Sequence, residues 1–221
     1  WDEPPISIEE TTSPALQKEG SGNSALAHTA PGMMLQFAIA GLLTCAQVIV
    51  AERKSRTLQR ILTTATNRFD IVVGHYLAIL FLILAQFMIL IAFGQLVLKV
   101  DYFRLPAATM LVAISAALCI SALGLLIGIL AKSDEQATTF SLIPMFVFSG
   151  LGGAWVPLEV TGPTFQAIGH LSPVAWGMDG FENIVARGLG FQSVLLPSAA
   201  LIGYAILFFA LAVLRFRKID S

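Results

Sequence analysis

Five stretches of this chain are long, apolar and free of aspartate, glutamate, lysine and arginine. A helix needs about 20 apolar residues to cross the roughly 30 Å hydrocarbon core of a bilayer. Charged side chains are costly at that depth, so whole stretches without them constrain the fold more than any other feature. We therefore predict an all-α, polytopic membrane protein. Its five spans are expected at about residues 31–50, 71–98, 107–131, 137–155 and 193–214.

The composition agrees with a membrane protein. Hydrophobic residues make up 56% of the chain and charged residues only 12%, and the mean hydropathy is +0.79. An average soluble domain has roughly twice that share of charged residues. Cys45 and Cys119 lie inside predicted spans, where a thiol acts as a small apolar side chain, so they indicate neither a disulfide nor a metal site.

The first 30 residues are polar and rich in Ser, Thr, Gly and Pro, so they cannot form a core of their own. They fit a flexible tail or the end of an extracellular domain, and we favour the second. The chain starts at Trp1 without the basic region and apolar core of a signal peptide. We expect residues 31–221 to be the transmembrane domain of a longer polypeptide, which would have a further span and most of the external domain ahead of this chain.

A short charged segment, residues 52–66 with the sequence ERKSRTLQRILTTAT, separates the first two predicted spans. As a helix it would be about 20 Å long, too short to cross a bilayer. Its apolar residues recur at the spacing of one helix face, and charged residues fill the other face. The pattern predicts an amphipathic helix on the membrane surface, although a basic loop that only fixes the topology also fits. The apolar face consists of Leu58, Ile61, Leu62 and Ala65, and the charged face of Glu52, Arg53, Arg56 and Arg60.

A second amphipathic segment lies between the last two predicted spans. Ser172 followed by Pro173 is typical of a helix start, and Gly188 is typical of a helix end. Asp179 and Glu182 make this helix unsuitable for crossing the bilayer, so we predict an interfacial or re-entrant element.

The basic residues indicate the orientation. If residues 52–66 are cytoplasmic, nine of the 13 Lys and Arg residues lie inside and four outside, as the positive-inside rule requires. The C-terminus is then cytoplasmic, and the helix after Ser172 is external. We expect the protein to be integral to the cell membrane, either the plasma membrane or an inner membrane.

The spans carry no obvious chemistry. They lack the acidic and basic residues that ion-coupled transporters place inside the membrane, and the chain contains no GxxxxGK[ST], HExxH, GxSxG or CxxC motif. His75, near the start of the second span, is expected to have no accompanying histidine or carboxylate, so an interfacial or hydrogen-bonded role is predicted rather than a ligand role. We predict a protein that is not an enzyme, with no catalytic residue, no metal site and no cofactor of its own.

Several motifs together resemble a known family. They are PGM at residues 31–33, ERKSRTLQRILTTATNRFDIVVGHYL from Glu52, GGAWVP at residues 152–157, and HLSPVAWGMDGFENIVARG before the last span. In this order they resemble the permease subunit of type-2 ATP-binding-cassette (ABC) exporters. In this family a characteristic pattern follows the span that corresponds to residues 31–50. The chain matches that pattern at Glu52, Arg53, Thr57, Leu58 and Leu62. The chain departs from it at Arg56, where glycine is common, at Thr66, where proline usually falls, and at His75, which replaces a lysine.

The resemblance implies a six-span half-transporter that works with a second permease, identical or different, and with two nucleotide-binding ATPase subunits. ATP and Mg²⁺ would bind in those subunits, and no nucleic acid is expected as a partner. The resemblance implies a cytoplasmic coupling helix that contacts the ATPase, formed by Glu52, Arg53, Arg56, Thr57, Leu58, Arg60 and Leu62. It implies an external gate element that includes Pro157, Pro173, Trp176, Asp179 and Glu182.

The resemblance implies ATP-driven export, and the uncharged spans suit a lipophilic or amphiphilic substrate, such as a drug or lipid. Two alternatives from other classes also fit the apolar spans and the basic segment. One is a passive oligomeric channel, which would conduct without an ATPase. The other is a membrane scaffold or sensor component whose basic segment binds anionic lipid or a regulator.

Overall fold

The computed structural model describes residues 21–55 and 68–217. Within these ranges the chain is helical and contains no strand. The α-helices are α1 (Ser21–Lys54), α2 (Arg68–Leu96), α3 (Pro106–Leu130), α4 (Asp134–Leu151), α5 (Pro163–Gly169), α6 (Pro173–Val185) and α7 (Leu195–Arg217). Short 3₁₀ turns lie at Tyr102–Arg104, Leu158–Val160 and Phe191–Val194.

Four helices of the described part are long and apolar enough to cross a membrane. They are Leu26–Lys54 in α1, Phe69–Leu96 in α2, Pro106–Leu130 in α3, and Phe191–Phe216, which includes most of α7. The all-helical, multi-pass prediction is therefore confirmed. Helix α4, at the fourth predicted span, is not among the four candidate spans. It has 18 residues, begins with Asp134 and Glu135, and ends at Leu151 instead of continuing to Trp155. The count of five spans stays a prediction.

Helix α1 begins ten residues before the predicted span. Pro31, the first residue of the predicted span, lies inside the helix. The bundle packs closely at this point: an added Cβ on Gly32 would lie 2.2 Å from the carbonyl oxygen of Ala154. Trp155 also donates a 2.8 Å hydrogen bond from Nε1 to the Oε1 atom of Gln36. Helix α1 is thus held against the chain that leaves α4.

Helix α3 is the centre of the bundle. Of its most apolar part 72% is buried, against 50% in α1 and 28% in each of the other two candidate spans. It packs against α1, α2 and α7. Small residues permit this, because a Cβ on Gly128 would lie 2.5 Å from Cδ1 of Ile49 in α1. Small residues at helix contacts allow such close approach in membrane bundles.

The amphipathic segment forms helix α6 between the predicted ends. The Ser172 hydroxyl accepts a 3.2 Å hydrogen bond from the backbone N–H of Val174, which satisfies one of the unpaired donors of the first turn. Gly188 follows the helix with φ of 61°. Phe181 is fully buried and packs edge to face on Tyr102, with the ring centres 6.1 Å apart. Helix α6 is thus built into the bundle, in contact with α1, α3, α4 and α7.

Candidate functional site

Charged side chains gather at the two ends of the bundle. His28 and Glu52 lie near opposite ends of α1, about 36 Å apart along a helix that rises about 1.5 Å per residue. The interior between the ends contains no Asp, Glu, Lys or Arg in any of the described spans. Within residues 21–55 and 68–217, no group of His, Cys, Asp and Glu could hold a metal ion. The candidate sites are therefore the two charged ends.

At the C-terminal end of α1, three consecutive side chains contact three different helices. Glu52 pairs with His75 of α2, Arg53 donates to carbonyl groups at the end of α3, and Lys54 pairs with Asp134 at the start of α4. We call Glu52, Arg53 and Lys54 the junction. The junction forms the first three residues of the segment, residues 52–66, that was predicted to be a coupling helix.

The first contact of the junction corrects the sequence analysis. Nε2 of His75 lies 2.5 Å from Oε2 of Glu52, and Nδ1 lies 2.8 Å from the carbonyl oxygen of Ile71. The expectation that His75 has no accompanying carboxylate is wrong, because the packing of α1 beside α2 brings together residues 23 positions apart. The histidine side chain is 20% exposed and the glutamate 34%, so the pair is only partly shielded from solvent.

In the second contact, Arg53 caps the C-terminal end of α3. Nη1 of Arg53 donates to the carbonyl oxygen of Ala131 at 2.9 Å, and Nη2 donates to that of Ile129 at 3.2 Å. The last carbonyl groups of a helix have no partner within the helix and carry its partial negative charge. The planar, doubly donating guanidinium group matches two such acceptors, which a lysine would not.

The third contact is more exposed. Nζ of Lys54 lies 2.6 Å from Oδ2 of Asp134, and both side chains are 52% exposed. Surface pairs of this kind add little to stability. The carboxylate lies in the first turn of α4, where negative charge is favourable, and the neighbouring Ser133 caps the same helix.

The structure gives a partial view of the predicted coupling helix. Glu52 and Arg53 belong to the junction. The other predicted members lie outside the described residues. They are Arg56, Thr57, Leu58, Arg60 and Leu62.

At the opposite end of the bundle, charged side chains surround a cavity of about 170 Å³. Nδ1 of His28 in α1 donates to Oε1 of Glu182 in α6. Arg187 donates to Oε1 of Glu159, and its Nη2 atom lies 3.6 Å from Oε2 of Glu182. Glu182 is the most buried of these groups, with its side chain 10% exposed. The charged and titratable residues around the cavity are His28, Glu159, His170, Asp179, Glu182 and Arg187.

His170 forms a second pair at this end. Its Nδ1–H donates to the carbonyl oxygen of Gln166 at 2.7 Å, and its Nε2 atom lies 2.8 Å from Oδ2 of Asp179. Burial lowers the pKa of His170, but the hydrogen bonds to Gln166 and Asp179 outweigh burial and raise the pKa above its ordinary value. Trp176 packs edge to face on this ring at 4.9 Å and donates to the carbonyl oxygen of His170.

The structure brings three of the five predicted gate residues together. Asp179 and Glu182 line the cavity, and Trp176 holds the loop of His170. Pro157 precedes a 3₁₀ turn and Pro173 occupies the first turn of α6, so both fix the backbone. The sequence analysis missed His28, His170 and Arg187, the partners of these carboxylates. The one available signal was that carboxylates on a largely buried helix need cationic partners.

The long apolar helices and their uncharged interior define a multi-pass membrane protein. The family model described as ABC-2 family transporter protein matches residues 2–214, and the chain belongs to this family. It is a permease of an ABC transporter, as the sequence motifs predicted.

Two curated relatives are similar to the chain. It is 25% identical over 194 residues to the linearmycin resistance permease protein LnrN of Bacillus subtilis, a match that covers 88% of this chain and 50% of the relative. It is 24% identical over 200 residues to ABC transporter G family member 20 of Dictyostelium discoideum, which covers 87% of this chain and 27% of the relative. The chain thus spans half or less of the length of these relatives. No solved structure matches it significantly.

Proposed function

We propose that this permease exports a lipophilic or amphiphilic compound, such as a drug or lipid, using ATP hydrolysis in a separate nucleotide-binding subunit. The observation that carries the proposal is the uncharged interior of a chain that belongs to an ABC transporter family. Transporters driven by ions or by voltage place ionisable groups within the membrane. A permease without such groups needs an energy source outside its spans, and ATP with Mg²⁺ would be bound by the partner subunit.

The proposed assembly contains two permeases and two ATPase subunits in the cell membrane. Each permease would have six spans. Five of them, including α4, would lie in this chain, and residues 1–30 would form the end of an external domain. The distribution of basic residues supports a cytoplasmic junction and C-terminus. On the junction side lie Arg53, Lys54, Lys132 and Arg215, and on the cavity side Lys99, Arg104 and Arg187.

In the proposed mechanism, nucleotide binding draws the ATPase subunits together and moves the coupling helix at residues 52–66. The spans then tilt and open an uncharged path for the substrate. Helix α6 with the gate residues of the cavity would close the external side. The large apolar side chains exposed on α2, such as Phe81, Ile89 and Phe93, support a lipid-facing surface and passage of an apolar substrate beside it. The Bacillus relative is named as a linearmycin resistance permease, which supports export of a small organic compound by this chain as well.

Charge reversal in the coupling segment tests this proposal. We expect the double variant Arg56→Glu, Arg60→Glu to reduce ATP-dependent export in proteoliposomes at least about tenfold while ATP hydrolysis continues, because the cationic face would no longer match its partner. The matched control is Lys132→Glu, Arg215→Glu, which reverses two exposed charges on the same side of the bundle and should export normally. Normal export by the first variant contradicts the proposal.

Copurification tests the partner directly. A nucleotide-binding subunit should copurify with the wild-type chain and be lost from the variant Leu58→Asp, Leu62→Asp, because carboxylates disrupt the apolar face that seats the segment. The variant Leu58→Met, Leu62→Met keeps the apolar volume and should retain the subunit. Substrate flux through the permease without any ATPase would instead support a passive channel.

A further inference from the structure

We propose that Arg53 is a positioning residue that transmits movement of the coupling segment to α3, the central helix of the bundle. The inference rests on the proposed function, because it takes residues 52–66 to be the point at which the ATPase acts. It adds the route by which the movement enters the bundle. It also predicts that one side chain of the junction matters more than its two neighbours.

The three contacts of the junction differ in what they hold. Glu52 and Lys54 contact other side chains, His75 and Asp134, in pairs that are partly or half exposed. Side chains of such pairs can change rotamer and separate without moving the helices that carry them. Arg53 contacts backbone carbonyl oxygens, those of Ile129 and Ala131. A displacement of Arg53 therefore acts on the backbone of α3 itself.

The helix that Arg53 holds is the one through which movement would spread furthest. Helix α3 is the most buried of the candidate spans and packs against α1, α2 and α7. Closely packed interiors transmit strain because they contain little empty space. Ile49, one turn before Arg53, lies against Gly128 of α3, so a close packing contact supports the hydrogen bonds along the same interface.

The geometry of the two hydrogen bonds suits this role. The two donors of one planar guanidinium group hold two acceptors at the end of α3, so the contact fixes direction as well as distance. A single donor on a flexible stem fixes distance alone. Arg53→Lys should therefore retain the charge and one contact but lose part of the transmission.

The test measures the number of substrate molecules exported per ATP hydrolysed by the purified complex in proteoliposomes. Arg53→Met keeps the length of the stem and removes every donor. We expect it to lower this ratio roughly tenfold, with Arg53→Lys in between, because two charge-assisted hydrogen bonds are lost. Lys132→Met removes an exposed cation one residue beyond Ala131 and should leave the ratio unchanged. A residue that only stabilised the fold would lower the amount of complex and not the ratio.

A distance measurement gives a second readout. Spin labels at Ser55→Cys and Lys132→Cys should keep the same separation with and without nucleotide, because Arg53 connects the end of α1 to the end of α3. With Arg53→Met that separation should change when nucleotide binds. The native thiols of Cys45 and Cys119 are buried, so the introduced sites can be labelled selectively.

The outcomes separate this inference from the proposed function. ATP-dependent export by the wild type with an unchanged ratio in Arg53→Met overturns the inference and leaves the proposed function standing. Absence of ATP-dependent export by the wild-type complex overturns both. If Arg53→Met does not assemble, Arg53→Lys decides: a lowered ratio supports the inference, and a wild-type ratio overturns it.

Discussion

The two charged ends of the bundle are organised in opposite ways. At the junction, three neighbouring residues of one helix diverge to three other helices. At the cavity, His28 of α1 and Arg187 after α6 both meet Glu182 of α6, and Glu159 of the Leu158–Val160 turn pairs with Arg187. Glu182 is therefore the centre of this cavity network. A divergent arrangement distributes a displacement, whereas a convergent one holds a single element in place. The comparison supports a transmitting role for the junction and a closing role for α6.

The comparison predicts its largest effect at the centre of the cavity network. Replacing Glu182 by Gln should lower the free energy of unfolding by roughly 2 to 3 kcal/mol, because it leaves His28 and Arg187 without a largely buried partner. The midpoint of thermal unfolding in detergent measures this. Glu159→Gln is the control, since that side chain is 57% exposed and its loss should have a much smaller effect. Equal shifts of the unfolding midpoint in the two variants would show that Glu182 is no more important to the network than Glu159.

The next effect is expected at the junction. Glu52→Gln removes the charge that faces His75, and because the pair is partly exposed we expect a loss of about 1 kcal/mol in the free energy of unfolding. The same thermal measurement applies. A loss larger than that of Glu182→Gln would reverse the comparison of the two ends.

A pH titration sharpens the comparison at the cavity end. Because the folded-state pKa of His170 is raised, its pair with Asp179 stabilises the protein fully at pH values below the ordinary histidine pKa, and this contribution is lost as the pH rises through the folded-state pKa. The expected change from about pH 6 to pH 8 is under 1 kcal/mol, since both side chains are near one-third exposed. Unfolding midpoints of the wild type and of Asp179→Asn should converge at the higher pH. A constant difference between them would remove His170 from the network.

The smallest effect is expected for Lys54→Met. Both members of the pair with Asp134 are half exposed, so the unfolding midpoint should not change measurably. Its export ratio should also stay close to that of the wild type, in contrast to Arg53→Met one residue earlier. A fall as large as that of Arg53→Met would mean that the junction acts as a unit.

Local chemistry made much of the fold predictable. The spans could be predicted because long stretches of the chain contain no charged residue. Helix α6 could be predicted because Ser172, Pro173 and Gly188 determine its ends through local interactions. Prediction was less successful where neighbouring elements decide the outcome. Pro31 is a plausible helix start in isolation, yet α1 continues through it. Helix α4 ends at Leu151, before the predicted limit at Trp155.

The candidate sites were harder to predict, because their residues meet only through packing. His28 and Glu182 are 154 positions apart, and Arg53 reaches carbonyl groups 76 and 78 positions away. Every residue has a backbone carbonyl group, so a sequence pattern does not show which ones accept a hydrogen bond. The sequence therefore identified Arg53 as part of the charged segment but could not show that it contacts α3. The same limit explains why the carboxylates of α6 were found and their cationic partners were not.

The contact between Gly32 and Ala154 has a practical consequence. A hydrogen atom is the largest group that fits there, because even a methyl group would fall 2.2 Å from a main-chain oxygen. A bulky residue at position 32 would force α1 away from Ala154, in the chain that follows α4. Such a variant would separate α1 from the chain after α4 and so favour an open arrangement at this end of the bundle.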